Sequence, residues 1–207
     1  MSGCCHTDVI FDGASVAYKR VLWLIIALNA TMFVVESSAG MLAGSAALQA
    51  DALDFLGDSV TYTISLYVIG KPLNWRASAA MIKGVSLGAF GLMVFGLTIY
   101  RIVVTGMPEP VTMGAIGGLA LAVNVLSALL LFKFRNGDAN VRSVWLCSRN
   151  DAIGNVAVIL AAVGVAWSQS PWPDIIVAVI MAALFMKSSV AILRHAREDF
   201  NRAAMVS

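Results

Sequence analysis

The chain has 207 residues, 59% hydrophobic and only 13% charged, with a mean hydropathy of +0.84; a soluble domain carries roughly a quarter charged residues. A net charge of +2 gives no basis for nucleic-acid binding, and three cysteines, Cys4, Cys5 and Cys147, imply no disulfide framework. The charges gather between long apolar runs, the pattern of a polytopic membrane protein.

A polar tail, residues 1–17, comes first and carries the run Cys4-Cys5-His6. Three adjacent ligands suit capture of a metal ion, although a terminal segment is also the commonest place for unstructured chain. No signal peptide is expected, because the first apolar run is too long for an h-region.

Six apolar segments follow: Val21–Gly44, Ala46–Ile69, Met81–Val104, Val111–Phe132, Val144–Trp167 and Ile175–Leu193. Each can span a bilayer, since roughly 20 residues at 1.5 Å rise cross the hydrocarbon. Lipid offers backbone groups no partners, and the runs are too long for barrel strands, so the expected fold is an all-α bundle of six transmembrane helices. Pro72, Pro108, Pro110, Pro171 and Pro173 fall in or beside the connections, where a missing N–H costs least.

Helix one carries Asn29 and Glu36 on one face. Both suit either a cavity lining or hydrogen bonding between helices. Helix two reads GSAALQADALDFLGDSVTY, with Asp51, Asp54 and Asp58 three and four apart on one stripe. Carboxylates in hydrocarbon are costly, and a proton, a cation or water must compensate them. Lys83, just inside helix three, is expected to snorkel to the interface, with a salt bridge at a dimer contact as the alternative. Helix five reads SVWLCSRNDAIGNVAVIL and sets Cys147, Asp151 and Asn155 four apart on one stripe. After helix six, residues 196–207 read as a short solvated tail, leaving 18–195 as the membrane domain.

Orientation follows from the basic residues. Lys19, Arg20, Lys71, Arg76, Lys133, Arg135, Arg142, Arg194, Arg197 and Arg202 fall at one end of the bundle, and only Arg101 at the other. The positive-inside rule places both termini in the cytoplasm. Three plus three helices also suggest inverted halves, in which helices two and five correspond and Asn29 is echoed by Asn124.

Depth then relates the two acidic helices. Counting 1.5 Å per residue from the cytoplasmic ends puts Asp58 roughly 17 Å and Asp54 roughly 23 Å deep, against roughly 14 Å for Asp151 and 20 Å for Asn155. If helices two and five pack, Asp54, Asp58 and Asp151 converge on one ion, with Cys147 lower, at roughly 8 Å. Asp51 is then an acid behind the ligands, fit to orient one or to pass protons. Oxygen donors alone suit hard cations, and a thiolate draws preference toward Zn or Cd. Binding to carboxylates puts metal in competition with protons.

The stretches GSAALQADALDFLGD and CSRNDAIGNVAV, with NATMFVVESSAG in helix one, resemble the cation diffusion facilitator family. In its second and fifth helices a His or Asp is followed four residues later by Asp. Asp54 and Asp58 match those places in helix two, and Asp151 matches the second place in helix five, where Cys147 falls on the first. Asp51, Asn155, Asn29 and Glu36 fall on polar positions of the same pattern. The resemblance covers residues 18 to about 195. It implies a tetrahedral site between helices two and five and proton-driven alternating access. Its metal is cargo, Zn above all, and no fixed cofactor is implied. Many members continue into a cytoplasmic metal-binding domain. This sequence ends at Ser207, so a member without that domain, dimerising through its membrane helices, is expected.

The expected function is therefore divalent cation efflux in exchange for protons across a bacterial inner membrane. A cation or proton channel, and a metal sensor or accessory subunit working through the Cys4-Cys5-His6 tail, are the alternatives. No nucleophile–base set or nucleotide motif points to an enzyme.

Overall fold

A computed structural model describes residues 15–71, 73–104, 106–136 and 139–206. Six helices make up the described chain: α1 (Val16–Ala43), α2 (Ala46–Tyr67), α3 (Leu73–Val104), α4 (Pro110–Phe132), α5 (Ala139–Ser168) and α6 (Trp172–Val206). Among the described residues there is no strand. The protein is an all-α membrane bundle.

Five helices are long and apolar enough to cross a membrane; α2 falls short on composition. Its 22 residues give about 33 Å, enough to span, but Asp51, Asp54 and Asp58 lower its hydropathy. Packing explains the exception. α2 lies against α1, α3, α5 and α6, and most of its side chains are buried. A helix that meets protein on nearly every side needs no apolar exterior. The lipid-facing surface belongs to the others, where Trp23, Val34, Leu92, Val103, Leu129, Leu160 and Ile176 stand exposed.

The helices outrun their apolar stretches. α3 begins at Leu73 rather than near Met81, α5 at Ala139 rather than near Val144, and α6 continues past Leu193 to Val206. Hydropathy registers bilayer thickness, and a helix continues into water for as long as its backbone bonds do. The expected C-terminal tail is thus the last turns of α6.

Capping sets the turns. Ser15 starts α1, its hydroxyl accepting from the Tyr18 N–H at 3.2 Å. α1 ends at Gly44, whose φ of 68° is the left-handed conformation that glycine takes without penalty. The next residue, Ser45, already caps α2 by accepting from the Leu48 N–H at 3.0 Å. Glu109 caps α4 by accepting from the N–H groups of Val111 and Thr112 at 3.0 and 2.6 Å. These bonds, led by Thr112, hold its carboxyl below the usual range. The Glu109 N–H itself donates to Ala43 O at 2.9 Å, tying the α3–α4 connection to the end of α1.

Packing follows a paired scheme. α1 lies on α2, α4 on α5, and α3 on α6, with α1 also meeting α4 and α2 meeting α5. Helices α1 and α4, α2 and α5, and α3 and α6 are therefore all in contact. The α3–α6 contact is close because small residues face it: a Cβ at Gly84 would stand 2.8 Å from Leu193, and one at Gly88 2.8 Å from Ser189 Oγ. Ser189 donates to Gly84 O at 2.6 Å across the same seam.

Of three buried apolar clusters, two lie above and below the acids and a small third, Met32, Phe55 and Ala120, sits at their level. Of the larger two, one gathers Ala47, Leu48, Leu53, Val158, Ala162, Val165 and Phe185; the other gathers Tyr18, Leu22, Ile25, Tyr62, Leu131 and Val144. On α2 the acids Asp54 and Asp58 fall between Leu53 and Tyr62, and on α5 Asp151 and Asn155 fall between Val144 and Val158. These polar residues of α2 and α5 occupy the layer between the two larger clusters.

Candidate metal centre

The α-helical repeat puts Asp51, Asp54, Asp58, Tyr62 and Ser65 on one face of α2 and Cys147, Asp151 and Asn155 on one face of α5. The two faces meet. The carboxyl of Asp151 lies beside those of both Asp54 and Asp58. Asp58 is buried, whereas Asp54 and Asp151 are partly accessible. Like charges side by side in a low-dielectric interior repel strongly, so the arrangement calls for a proton or a cation between them. Among the described residues no three His, Cys, Asp or Glu side chains close into a ready-made cage. The acids meet in pairs through Asp151, and a closed coordination shell requires a further movement of side chains or helices.

Cys147 stands at the edge of this group. It is exposed on one side, while Asp58, Asp54 and Lys83 act on it electrostatically and the Tyr62 hydroxyl comes within hydrogen-bonding reach.

The remaining expected residues form a layer behind the acids. Asn29, Glu36, Asp51 and Asn155 are each 1% exposed or less. Glu36 and Asp51 are neighbours, and Asp54 acts on both. Asn29 donates to Ile25 O of its own helix at 2.9 Å. Among the described residues, both oxygens of Glu36, Oδ2 of Asp51 and of Asp151, Oδ1 of Asn29, both polar atoms of Asn155 and the Ser127 hydroxyl are buried without a hydrogen-bond partner unless neighbouring carboxyls share a proton. Each such atom costs about 1–3 kcal/mol. A set of them on α1, α2, α4 and α5 identifies an interior suited to ions, protons and water rather than to apolar packing. Cys4, Cys5 and His6 lie outside the described residues.

Three contacts in and around the site cannot be read from the spacing along one helix. Tyr62 crosses from α2 to α5, its hydroxyl 3.2 Å from Ser148 Oγ and 3.4 Å from Val144 O, and it faces Asp58. Lys83 does not snorkel outward: its Nζ donates to Ser65 Oγ of α2 at 2.5 Å. Asp174, near the start of α6, reaches the beginning of α2. It accepts from Ser45 Oγ at 2.6 Å, from the Ala46 N–H at 2.7 Å and from the Ala47 N–H at 3.0 Å. A carboxylate at a helix N-terminus satisfies orphan N–H groups and the helix dipole together. Spacing within α2, α3 or α6 cannot reveal these contacts, since each partner lies on another helix.

Lipid-facing helices around a carboxylate-lined centre define a multi-pass membrane protein. The chain belongs to the cation efflux family: the model of the cation efflux transmembrane domain matches residues 22–200. It is similar to the cadmium, cobalt and zinc/H(+)-K(+) antiporter of Bacillus velezensis, with 30% identity over 189 residues, covering 82% of this chain and 59% of that protein. It is also similar to the metal cation efflux system protein CzcD of Cupriavidus metallidurans, 26% identical over 200 residues, 87% of this chain and 63% of the relative. The zinc transporter ZitB of Escherichia coli is 27% identical over 203 residues, 91% of this chain and 64% of its own length. The chain thus spans about three fifths of the length of these relatives. It is a multi-pass protein of the bacterial inner-membrane type.

Proposed function

We propose that the chain carries a divalent metal cation, Zn or Cd, out of the cytoplasm in exchange for protons. One observation supports this above the others: Asp151 of α5 lies against Asp54 and Asp58 of α2 between two apolar plugs. In this reading Asp54, Asp58 and Asp151 are the oxygen ligands, and Cys147 supplies the sulfur that favours softer ions. Asp51, Asn155, Asn29 and Glu36 orient the ligands and hold protons behind them. The metal is substrate, and no fixed cofactor is needed.

The step follows from competition. From a cytoplasm-facing state, ionised carboxylates take up a cation as it sheds water. Movement of α3 and α6 against the other four helices opens the far side. Protons there neutralise the carboxylates and release the ion, and the protonated site returns. Plugs on both sides favour alternating access over a continuous channel, and no covalent step is required, so the protein acts as a transporter and not as an enzyme. Both termini lie in the cytoplasm, where Cys4, Cys5 and His6 capture metal for the bundle. Two copies associate through membrane helices. The names of the relatives, which include zinc, cadmium and cobalt transport, support the same substrate class.

Uptake into proteoliposomes under an imposed pH gradient tests the reading, with Zn, Cd, Co and Mn compared. Saturable, gradient-dependent uptake that is lost in an Asp54→Ala/Asp151→Ala double variant is expected. Equal flux in native and variant chains overturns it.

A further inference from the structure

We propose that Lys83 is a tethered cation of the transport site, a fixed positive charge that weakens metal binding enough for the ion to leave. The inference rests on the transport reading above.

Lys83 sits in the apolar span of α3. A lysine near the end of such a helix would ordinarily extend to the headgroups. This one instead donates to Ser65 Oγ at 2.5 Å, on the face of α2 that carries Asp58 and Tyr62, with Ser65 fully buried. From there its charge acts on Asp58 and on Cys147. Arg149, the cation nearest the acids along α5, serves a different surface: its guanidinium donates to Asn150 Oδ1 and lies over the Trp145 ring. Among the described basic side chains, Lys83 is the one whose hydrogen bond to α2 sets it on the face that carries Asp58.

Charge counting gives it a role. Three ionised carboxylates around a divalent ion leave one negative charge in a low-dielectric interior, and such a site holds its ion tightly. Adding the Lys83 ammonium cancels that charge, and leaves one negative charge where Cys147 binds as a thiolate. The same ammonium repels an incoming cation and stabilises Asp58 when the ion is away. The price in affinity is what permits turnover.

Zinc binding to the detergent-solubilised full chain, measured by titration calorimetry, and zinc transport in proteoliposomes test the idea together. Two neutral variants are needed. Lys83→Met removes charge and hydrogen bond, whereas Lys83→Gln keeps a donor for Ser65. Both should bind zinc about tenfold more tightly, with KM lowered and kcat lowered as well, while Lys83→Arg stays near native. A purely structural lysine would give the opposite sign, because loosening the site weakens binding. Unchanged or weaker affinity in the folded neutral variants overturns the proposal. Absence of zinc binding by the native chain would instead overturn the transport reading on which it rests.

Discussion

Cys147 and Asp151 share a stripe of α5 but not an environment. Asp151 is held between Asp54 and Asp58, while Cys147 is open on one side. A thiol exposed at the edge of the proposed site should be within reach of a reagent when the site is empty and shielded when it is filled. In a Cys4→Ser/Cys5→Ser background, a small maleimide should label Cys147 slowly, with carboxylates outweighing Lys83 beside it, and saturating zinc should slow the reaction several-fold further. Labelling at the same rate with and without zinc would remove Cys147 from the ligand set. At this scale the sequence was informative where residues act along their own helix. The depth count brings Asp54, Asp58 and Asp151 to overlapping depths because a helix advances by a constant rise. It is silent on Tyr62, Lys83 and Asp174, whose partners sit on helices 18 to 129 positions away.

At the scale of elements, six helices were legible because hydrocarbon imposes a minimum apolar length. Their ends were not, because the polar turns beyond the bilayer look like loop to any measure of hydropathy. The α3–α6 seam likewise hides in single glycines whose neighbours cannot be read locally. Gly88 should not tolerate bulk, since its Cβ would already meet Ser189 Oγ at 2.8 Å. Gly88→Leu is expected to destabilise the protein by about 1–3 kcal/mol through overpacking. Gly96, also on α3, has open space where its Cβ would stand. Thermal unfolding in detergent should therefore show a lowered midpoint for Gly88→Leu and none for Gly96→Ala, whose added methyl improves helix propensity. Equal effects at both positions would mean that the seam is not set by close packing.

For the whole molecule, two polar ties join the α3–α6 pair to α2. Lys83 grips it near one end through Ser65, and Asp174 grips it at the other through Ser45, Ala46 and Ala47. In the proposed transport cycle, opening the centre to the far side loosens the second tie. Asp174→Ala removes three hydrogen bonds and leaves two N–H groups of α2 without a partner. A loss of about 2–4 kcal/mol is expected, measured as a lower unfolding midpoint. Zinc affinity should stay near native, because nine residues of helix, roughly 13 Å, separate Ser45 from Asp54. Transport should fall while binding persists; loss of both together would place Asp174 in the site rather than at its gate.

The Asp174 contact also bears on how the protein is made. α2 must enter the bilayer bearing three aspartates, each unfavourable for insertion by about 2.5–3.5 kcal/mol at a helix centre. The carboxylate that completes its first turn lies 128 residues further along the chain. At about 5–20 residues per second, a ribosome needs roughly 6 to 26 seconds to deliver it. Through that interval α2 depends first on α1, joined to it by the two-residue turn at Gly44 and Ser45, and then on α3 and α5 as they follow. Insertion is thus cooperative in time: the second helix crosses as part of a hairpin and becomes secure only when the sixth arrives.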